Sequence, residues 1–302
     1  MGPSTMNASS TMNARIWLLE ALKPHLDGKG LTLLERGGGT SEDHVSELAT
    51  RLAQASRHAK RRDLNLSAQL LGQAQEIQAG WNPERYSVLE TLRVALILSR
   101  EDLQEESFQG AFEEAFRFAD EGELRALYKS LALLPNGERF ELQASEGCRT
   151  NILGVFESVV CDSPYAAKFF PDVAWHSACI KSLFMESPLW RFIGLDERLC
   201  PELARMALDL VEERRSATRP ILANLWLLVG SHGGPRGMDS LIHEWNHLPA
   251  SERGAVALAM ARAGGQDQLR EWLVANPGDV WLEKALAGET QQVQWRAFEF
   301  NE

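Results

Sequence analysis

The sequence predicts an all-α protein, an array of antiparallel helices of the α-solenoid or HEAT-like kind that winds as a right-handed superhelix. Apolar residues recur at steps of three and four along most of the 302 residues. Alternation with period two, which marks half-buried strands, is hard to find, and β-branched residues are sparse. The interruptions between helical segments are short, as they are between stacked antiparallel helices.

The predicted helices follow one another along the whole chain. The first covers residues 14–22 and ends near Pro24, and a glycine-rich loop is predicted from residue 28 to residue 39. Asn, Pro, Gly and Asp separate the later segments, because these residues end and start helices. Those helices are predicted at residues 42–60, 65–78, 84–100, 103–119, 122–133, 138–160, 171–186, 201–215, 219–231, 239–248, 251–263, 266–275 and 278–287.

Two segments of the C-terminal third resemble each other. Residues 239–249 read DSLIHEWNHLP and residues 267–277 read DQLREWLVANP. Both begin with an aspartate at a helix start and end with a proline. Helical-hairpin repeats are usually longer than the spacing between these segments, so the pattern is a weak sign of a repeat whose units have diverged.

The charge of the chain is strongly acidic, with a formal net charge of −11. A nucleic-acid partner needs a positive surface, so nucleic acid is excluded as the main partner, and an anionic membrane surface is disfavoured. The basic run HAKRR at residues 58–62 is predicted at a helix end, where positive charge suits the helix dipole.

Cysteine usage and hydropathy indicate the compartment. No two of the four cysteines stand in a CxxC or CxxxC pair, so buried thiols in a reducing compartment account for them better than disulfides or zinc do. The first fifteen residues lack the apolar core of a signal peptide, and no run of about 18 apolar residues occurs. We therefore expect a cytoplasmic protein with no membrane span, no metal and no cofactor.

The sharpest motif is HExxH, formed by His243, Glu244 and His247. On a helix this spacing can hold zinc between the two imidazoles, with the glutamate as general base. The apolar stripe of the same segment lies on the other side, so we expect all three side chains on a solvated face. Pro249 ends the helix directly afterwards, and no third ligand stands at a zincin-like position.

The segment from residue 138 to residue 215 is the most informative. If residues 138–160 form one helix, Glu146, Thr150 and Glu157 share its polar face, with Arg149 beside them. These groups could line a polar pocket or could form salt bridges with neighbouring helices. An aromatic cluster interleaved with basic side chains follows, and it fits either a small-molecule pocket or an ordinary helical core. Its aromatic members are Tyr165, Phe169, Phe170, Trp175, Phe184, Trp190 and Phe192.

Residues 146–214 resemble the EboA family. The resemblance rests on short motifs in a fixed order: Glu146-Gly147, Arg149-Thr150-Asn151, Val155-Phe156-Glu157, Ser163-Pro164-Tyr165, Phe170, Trp175, Lys181, Leu183-Phe184, Gly194-Leu195, Arg198, Pro201-Glu202-Leu203-Ala204 and Glu213-Arg214. The sequence departs from the family pattern at His176, where an asparagine is expected, and at Ala166, where a proline is usual. The altered polar group beside Trp175 would accompany a divergent ligand or a divergent function.

The resemblance implies a role in a bacterial gene cluster that moves a secondary metabolite, or its precursor, out of the cytoplasm. It also implies companion proteins, among them a membrane prenyltransferase-like protein. The resemblance for the core and the helical pattern for its flanks divide the chain into a disordered segment at 1–13, an N-terminal helical region at 14–135, an EboA-like core at 136–232 and C-terminal repeats at 233–302. These regions would form one continuous array.

Two functions follow. The first is a non-catalytic adaptor that binds a small aromatic or prenylated metabolite, or docks on other proteins of the cluster. The alternative is a natural-product cyclase or isomerase in which single carboxylates act as acid or base among aromatic rings. The predicted ligand-binding residues are Glu146, Arg149, Asn151, Glu157, Tyr165, Trp175, His176, Lys181, Arg198, Glu213 and Arg214.

The HExxH motif generates a direct prediction about metal content. Because His243 and His247 are expected on a solvated face without a third ligand, the purified protein should contain no stoichiometric zinc. Elemental analysis checks this. One zinc per chain, lost in His247→Ala, would contradict it.

Overall fold

The computed structural model describes residues 6–35 and 44–298. Its secondary structure is 72% helix, and no strand occurs within those ranges. The only β-type pairing in the described part is an isolated antiparallel bridge between Asp63 and Ser87. The all-α prediction is therefore confirmed, whereas the superhelical arrangement stays a prediction. The chain divides into two compact units, Met1–Pro171 and Asp172–Glu302.

The first unit contains ten α-helices in its described part. They are α1 Ala8–Leu22, α2 Gly28–Glu35, α3 His44–Gln54, α4 Ala68–Ile77, α5 Val88–Leu98, α6 Glu106–Phe118, α7 Glu121–Ser130, α8 Glu141–Gly147, α9 Leu153–Val160 and α10 Tyr165–Phe169. Short 3-10 turns follow or precede several of them, at Ala55–Arg57, Pro83–Arg85, Leu131–Leu133 and Gly137–Phe140.

Helix α5 is the central helix of the first unit. Every one of its residues is buried, including Glu90, Thr91 and Arg93. It packs on α1, α3 and α7. A helix that is buried on all sides must be surrounded, and these three neighbours cover the apolar residues of the run VLETLRVALIL.

Two helices of this unit begin with capping boxes. At α5 the Ser87 hydroxyl accepts the Glu90 N–H at 3.2 Å, and the Glu90 carboxylate accepts the Ser87 N–H at 2.8 Å. At α7 Asp120 and Glu123 exchange the same pair of bonds, at 2.7 and 3.0 Å. These boxes satisfy backbone donors at the first turn and fix where each helix starts.

In the part of the second unit that the structure describes, there are eight α-helices. They are α11 Asp172–Met185, α12 Leu195–Arg198, α13 Pro201–Ser216, α14 Ala223–Val229, α15 Gly234–His247, α16 Gly254–Arg262, α17 Gln266–Ala275 and α18 Val280–Leu286. A 3-10 segment at Gln292–Phe298 follows the last of them. It is held to the unit by Trp295, which is fully buried and donates through Nε1 to the Ala223 carbonyl at 3.2 Å.

The two repeat-like segments correspond to α15 and α17. Their tryptophans, Trp245 and Trp272, stack face to face with ring centroids 4.1 Å apart. Both indoles are buried. The two helices that resemble each other in sequence therefore meet through one tryptophan from each, at positions that differ by one residue in the two segments.

Three predicted boundaries differ from the structure. Helix α1 begins at Ala8, because Asn7 caps it by accepting the Ser10 N–H, so the disordered segment predicted at 1–13 is wrong for residues 8–13. Residues 28–35 form α2 rather than a loop, and the glycines at 37–39 lie outside the described residues. The boundary predicted at 135/136 falls inside the first unit.

The single helix predicted at 138–160 is wrong as well. It is divided into a 3-10 turn, α8 and α9, with residues 148–152 between the last two. The Thr150 hydroxyl accepts the Ile152 N–H at 3.1 Å in that interruption. Glu146 and Glu157 consequently lie on different helices, and the shared polar face does not exist.

The last residue of α8, Gly147, makes a close contact with α7. A Cβ at Gly147 would lie 2.5 Å from Cζ of Tyr128, whose ring is buried and contacts Phe116 at 4.9 Å. We predict that Gly147→Ala lowers the free energy of unfolding by about 1–3 kcal/mol through overpacking. Urea denaturation measures this.

Gly110→Ala is the matched control for that substitution. Gly110 lies inside α6, and a Cβ there would meet no atom within 4 Å. This variant should gain up to about 1 kcal/mol from helix propensity. If Gly147→Ala is as stable as the wild type, the prediction is contradicted, because the Tyr128 ring must then move aside without cost.

Candidate functional site

A buried arginine joins three helices of the first unit. The side chain of Arg93 is 2% exposed. Its Nε donates to the Leu52 carbonyl of α3 at 3.0 Å, and its Nη2 donates to Glu123 of α7 at 3.1 Å. Nη1 is buried and has no hydrogen-bond partner. An unused donor on a buried guanidinium is costly and calls for an explanation.

A second buried ionic group lies at the start of α5. One oxygen of Glu90 completes the capping box, and the other lies 2.8 Å from Arg125 Nε and 2.9 Å from Lys129 Nζ. Burial by itself raises the pKa of Glu90, but Lys129, the Ser87 N–H and Arg125 together outweigh it and lower that pKa. Burial lowers the pKa of Lys129, and Glu90 opposes this. The ionised form of Glu90 and the ionised form of Lys129 therefore stabilise each other inside the protein.

The segment before α4 brings a further arginine to the same place. Residues 60–64 run beside the start of α5: the Val88 N–H donates to the Arg62 carbonyl at 2.8 Å, and the Leu89 N–H donates to the Lys60 carbonyl at 3.1 Å. These bonds occupy donors that the first turn of α5 would otherwise leave unused. They hold Arg61, whose side chain is exposed, over the first turn of α7.

Together these residues enclose a cavity of about 170 Å³, which we call the arginine pocket. Gly122 forms part of its wall, and a Cβ there would lie 3.0 Å from Arg93 Nη1 and 3.1 Å from Arg61 Nη2. The lining is almost wholly charged or polar. It consists of Arg61, Asp63, Arg85, Ser87, Leu89, Glu90, Arg93, Glu121, Gly122 and Arg125.

Of the predicted ligand-binding residues, five lie in the first unit. Glu146 and Arg149 form a surface ion pair at 3.1 Å, with side chains 49% and 79% exposed. Asn151 is exposed and Glu157 is half-buried. Tyr165 is buried, and its hydroxyl donates to the Gly137 carbonyl at 2.7 Å. The structure pairs the first two and places Tyr165 in the core of its unit.

The other six lie in the second unit. Arg198 stacks over the fully buried ring of Trp175 at 4.9 Å and pairs with Asp172 at 2.6 Å. His176 Nε2 lies 3.3 Å from Cys200 Sγ, the N-cap of α13. The remaining three are spread over two helices: Lys181 is half-buried on α11, Glu213 is exposed on α13, and Arg214 of α13 donates to the Pro220 carbonyl.

The HExxH helix is α15. His243 and His247 are exposed and stack at 4.1 Å, as predicted for a solvated face. The expectation for Glu244 is wrong: it is buried, because Arg215 of α13 reaches it and pairs with it at 2.8 Å. Within residues 6–35 and 44–298, no group of His, Cys, Asp and Glu is placed to hold a metal ion.

Comparison with known proteins identifies the family. The model for metabolite traffic protein EboA matches residues 16–230, which include the arginine pocket and all the predicted ligand-binding residues. This chain belongs to the EboA family. No curated protein and no solved structure matches it.

The arginine pocket of this EboA family member was not predicted from the sequence. The capping signatures were visible as Ser87 with Glu90 and as Asp120 with Glu123, three residues apart. They locate two helix starts but do not show that the two starts adjoin. Arg61 was assigned with its neighbours to a helix end, whereas α3 ends at Gln54 and a 3-10 turn separates it from residues 60–64.

No helix in the described part of this EboA protein is long and apolar enough to cross a membrane.

The buried carboxylate generates a prediction on stability. Glu90→Gln should lower the free energy of unfolding by about 3 kcal/mol at pH 7, because Lys129 is left buried without its partner. Since the pKa of Glu90 is lowered in the folded state, its contribution is present above the unfolded pKa and is lost as the pH falls below it.

Urea denaturation between pH 7 and pH 3 measures this effect. The difference between wild type and variant should shrink as the pH falls below about 4.5. Glu84→Gln, at an exposed carboxylate of the same unit, is the control and should change little. A difference that stays constant with pH would contradict the assigned role of the Glu90 charge.

Proposed function

We propose that this protein binds a secondary metabolite, or its precursor, and carries it as a non-catalytic adaptor between the proteins of its cluster in the cytoplasm. The observation that carries the proposal is a concave, charged pocket, open to solvent at its rim, inside the segment that the metabolite traffic family matches. A few converging polar groups in a concave site are what fix the orientation of a small molecule.

The construction of the pocket supports binding. Its walls come from the first turns of two helices, which are fixed by capping boxes, and from a segment held by backbone hydrogen bonds. Sites on such anchored elements lose little entropy when a ligand binds. The Ser87 hydroxyl is engaged by Glu90 on both sides, as donor and as acceptor, so it serves the cap.

The predicted residues of segment 146–214 remain part of the proposal. Tyr165, Trp175 and His176 would bind the aromatic or prenylated portion of the metabolite. Arg149 would hold a carbonyl or anionic group, or would dock a partner such as the membrane prenyltransferase-like protein. The exposed Glu146–Arg149 pair supports an interaction surface. It gives less support to the alternative cyclase or isomerase, which needs a carboxylate enclosed among aromatic rings.

The test is direct capture of the metabolite. The protein is purified from a host that expresses the whole cluster, denatured, and its extract is analysed by mass spectrometry. We expect one small molecule enriched over a host that lacks the other cluster genes, recovered chemically unchanged. If the wild-type protein carries none, the proposal fails; if the molecule is converted on incubation, the protein is an enzyme.

Arg149→Ala separates binding from stability. Because the side chain is 79% exposed and its partner Glu146 is three residues away, the unfolding free energy should change by less than about 0.5 kcal/mol. The recovered metabolite, or the export it supports, should fall roughly tenfold, as for a lost charged hydrogen bond.

The matched control is Arg117→Ala. Arg117 is 74% exposed and pairs with Glu114 at the same sequence spacing, outside the predicted site. It should leave both quantities unchanged. If Arg149→Ala also leaves export intact, segment 146–214 is a scaffold at this position.

A further inference from the structure

Five charged side chains of limited exposure surround the arginine pocket: Arg93, Arg125, Lys129, Glu90 and Glu123. Each of these side chains is at most 35% exposed. Asp162, which is also buried, adds a third negative charge that raises the pKa of Lys129. The charges therefore balance, and what the pocket lacks is a hydrogen-bond acceptor for the buried Nη1 of Arg93.

Two guanidinium groups come close together beside Gly122. The unpartnered Nη1 of Arg93 and Nη2 of Arg61 both come within about 3 Å of the place that a Cβ at Gly122 would occupy. Burial lowers the pKa of Arg93, Glu123 and Asp120 oppose this, and the nearby Arg61 lowers it further. Two guanidinium groups therefore repel each other across a space that a side chain does not fill.

The acidic groups at the rim offset part of this charge but do not satisfy the Arg93 donor. Asp120 Oδ1 forms an ion pair with Arg93 Nη1 at 3.8 Å, which is beyond hydrogen-bond distance, and it would lie 3.4 Å from a Cβ at Gly122. The same oxygen accepts the Glu123 N–H at 2.7 Å, and the side chain is 55% exposed. Asp63 and Glu121 line the pocket from exposed positions, where water screens them.

We propose that the arginine pocket binds the anionic oxygen group, a carboxylate or a phosphate, of the carried small molecule. The group would sit between Arg93 and Arg61 over Gly122 and accept a charge-assisted hydrogen bond from each. Arg93 Nη1 is shielded from solvent, so entry requires the exposed Arg61 side chain to move aside and then to close on the anion. The inference rests on the proposed function and names the chemistry of its ligand.

The two helix N-termini at the pocket also favour an anionic ligand. The pocket lies at the N-termini of α5 and α7, which are 11 and 10 residues long. Each N-terminus carries a partial positive charge from the helix dipole. The pocket volume of about 170 Å³ is enough for one anionic group and its point of attachment, so the remainder of the molecule would extend past the rim.

The test uses four defined probes on the full-length protein. Isothermal titration calorimetry is run with inorganic phosphate, with benzoate and with its neutral analogue benzamide, and chloride at equal ionic strength is the reference. We expect phosphate, benzoate or both to bind, and which of them binds tells the two anion classes apart. Benzamide should bind about tenfold or more weakly than benzoate, since it lacks the charge.

Two variants with matched controls locate the site. Gly122→Ala places a methyl group between the guanidinium groups without a backbone penalty, and Arg61→Gln removes the exposed cation. Each should weaken anion binding about tenfold or more. Gly110→Ala, in an open helical position, and Arg62→Gln, whose side chain faces His25, should bind as the wild type does. Melting temperatures confirm that all four variants are folded.

The inference is overturned if no anion binds above the chloride reference. It is equally overturned if Arg62→Gln weakens binding as much as Arg61→Gln, because the effect would then be general electrostatics. Metabolite capture keeps the two proposals apart. If the same amount of metabolite is recovered from the wild type and from Gly122→Ala, the anion site is contradicted and the carrier function is not. If anions bind but no metabolite is captured, the carrier function is contradicted and the anion site is not.

Discussion

The first unit depends on the burial of one guanidinium, that of Arg93. Removing a charge from water costs several kcal/mol, and the cost is offset only where hydrogen bonds and an opposite charge replace the water. Leu52 and Glu123 supply these, and in doing so they join α3 and α7 to the central helix α5. The third nitrogen, Nη1, has no hydrogen-bond partner. The contact that joins the helices thus also leaves a donor at the wall of a pocket.

Fold and candidate site share the same carboxylates. Glu90 and Glu123 each use one oxygen to start a helix and the other to hold a cation. A change at either residue therefore disturbs a helix terminus and a charge pair together. This coupling explains why exposed positions such as Arg61, and a helical glycine such as Gly122, are the informative places to alter binding without altering the fold.

Periodicity was sufficient to predict the helical class and the positions of most helices. The buried face of a helix produces a regular spacing of apolar residues within its own segment, so it can be recognised without knowledge of its neighbours. Periodicity failed where a residue distant in the sequence determines the local structure or the burial of a side chain. The last residue before the interruption at 148–152 is Gly147, where the Tyr128 ring of α7 leaves no room for a side chain. Glu244 was assigned to a solvated face from the apolar stripe of its own helix. It is buried because its partner, Arg215, reaches it from another helix. Neither contact has a signal within its own segment.

The same limit applied to the candidate site. The capping signatures and the basic run at 58–62 could each be read, but their meeting depends on the hydrogen bonds of residues 60–64 with the start of α5. The aromatic segment differs from the arginine pocket in this respect. The family was recognisable from its residues alone, and the family match confirmed it. The part that these residues play in ligand binding stays a prediction, which the experiments above test.

The most direct measurement for the anion-binding account is anomalous diffraction from crystals soaked in selenate, an oxyanion with the shape of phosphate. The account predicts one strong selenium peak between the Arg93 and Arg61 guanidinium groups, with selenate oxygens about 3 Å from Arg93 Nη1, and no such peak in Gly122→Ala crystals. An empty pocket in the wild-type crystals, with Asp120 closed onto Nη1 instead, would contradict it.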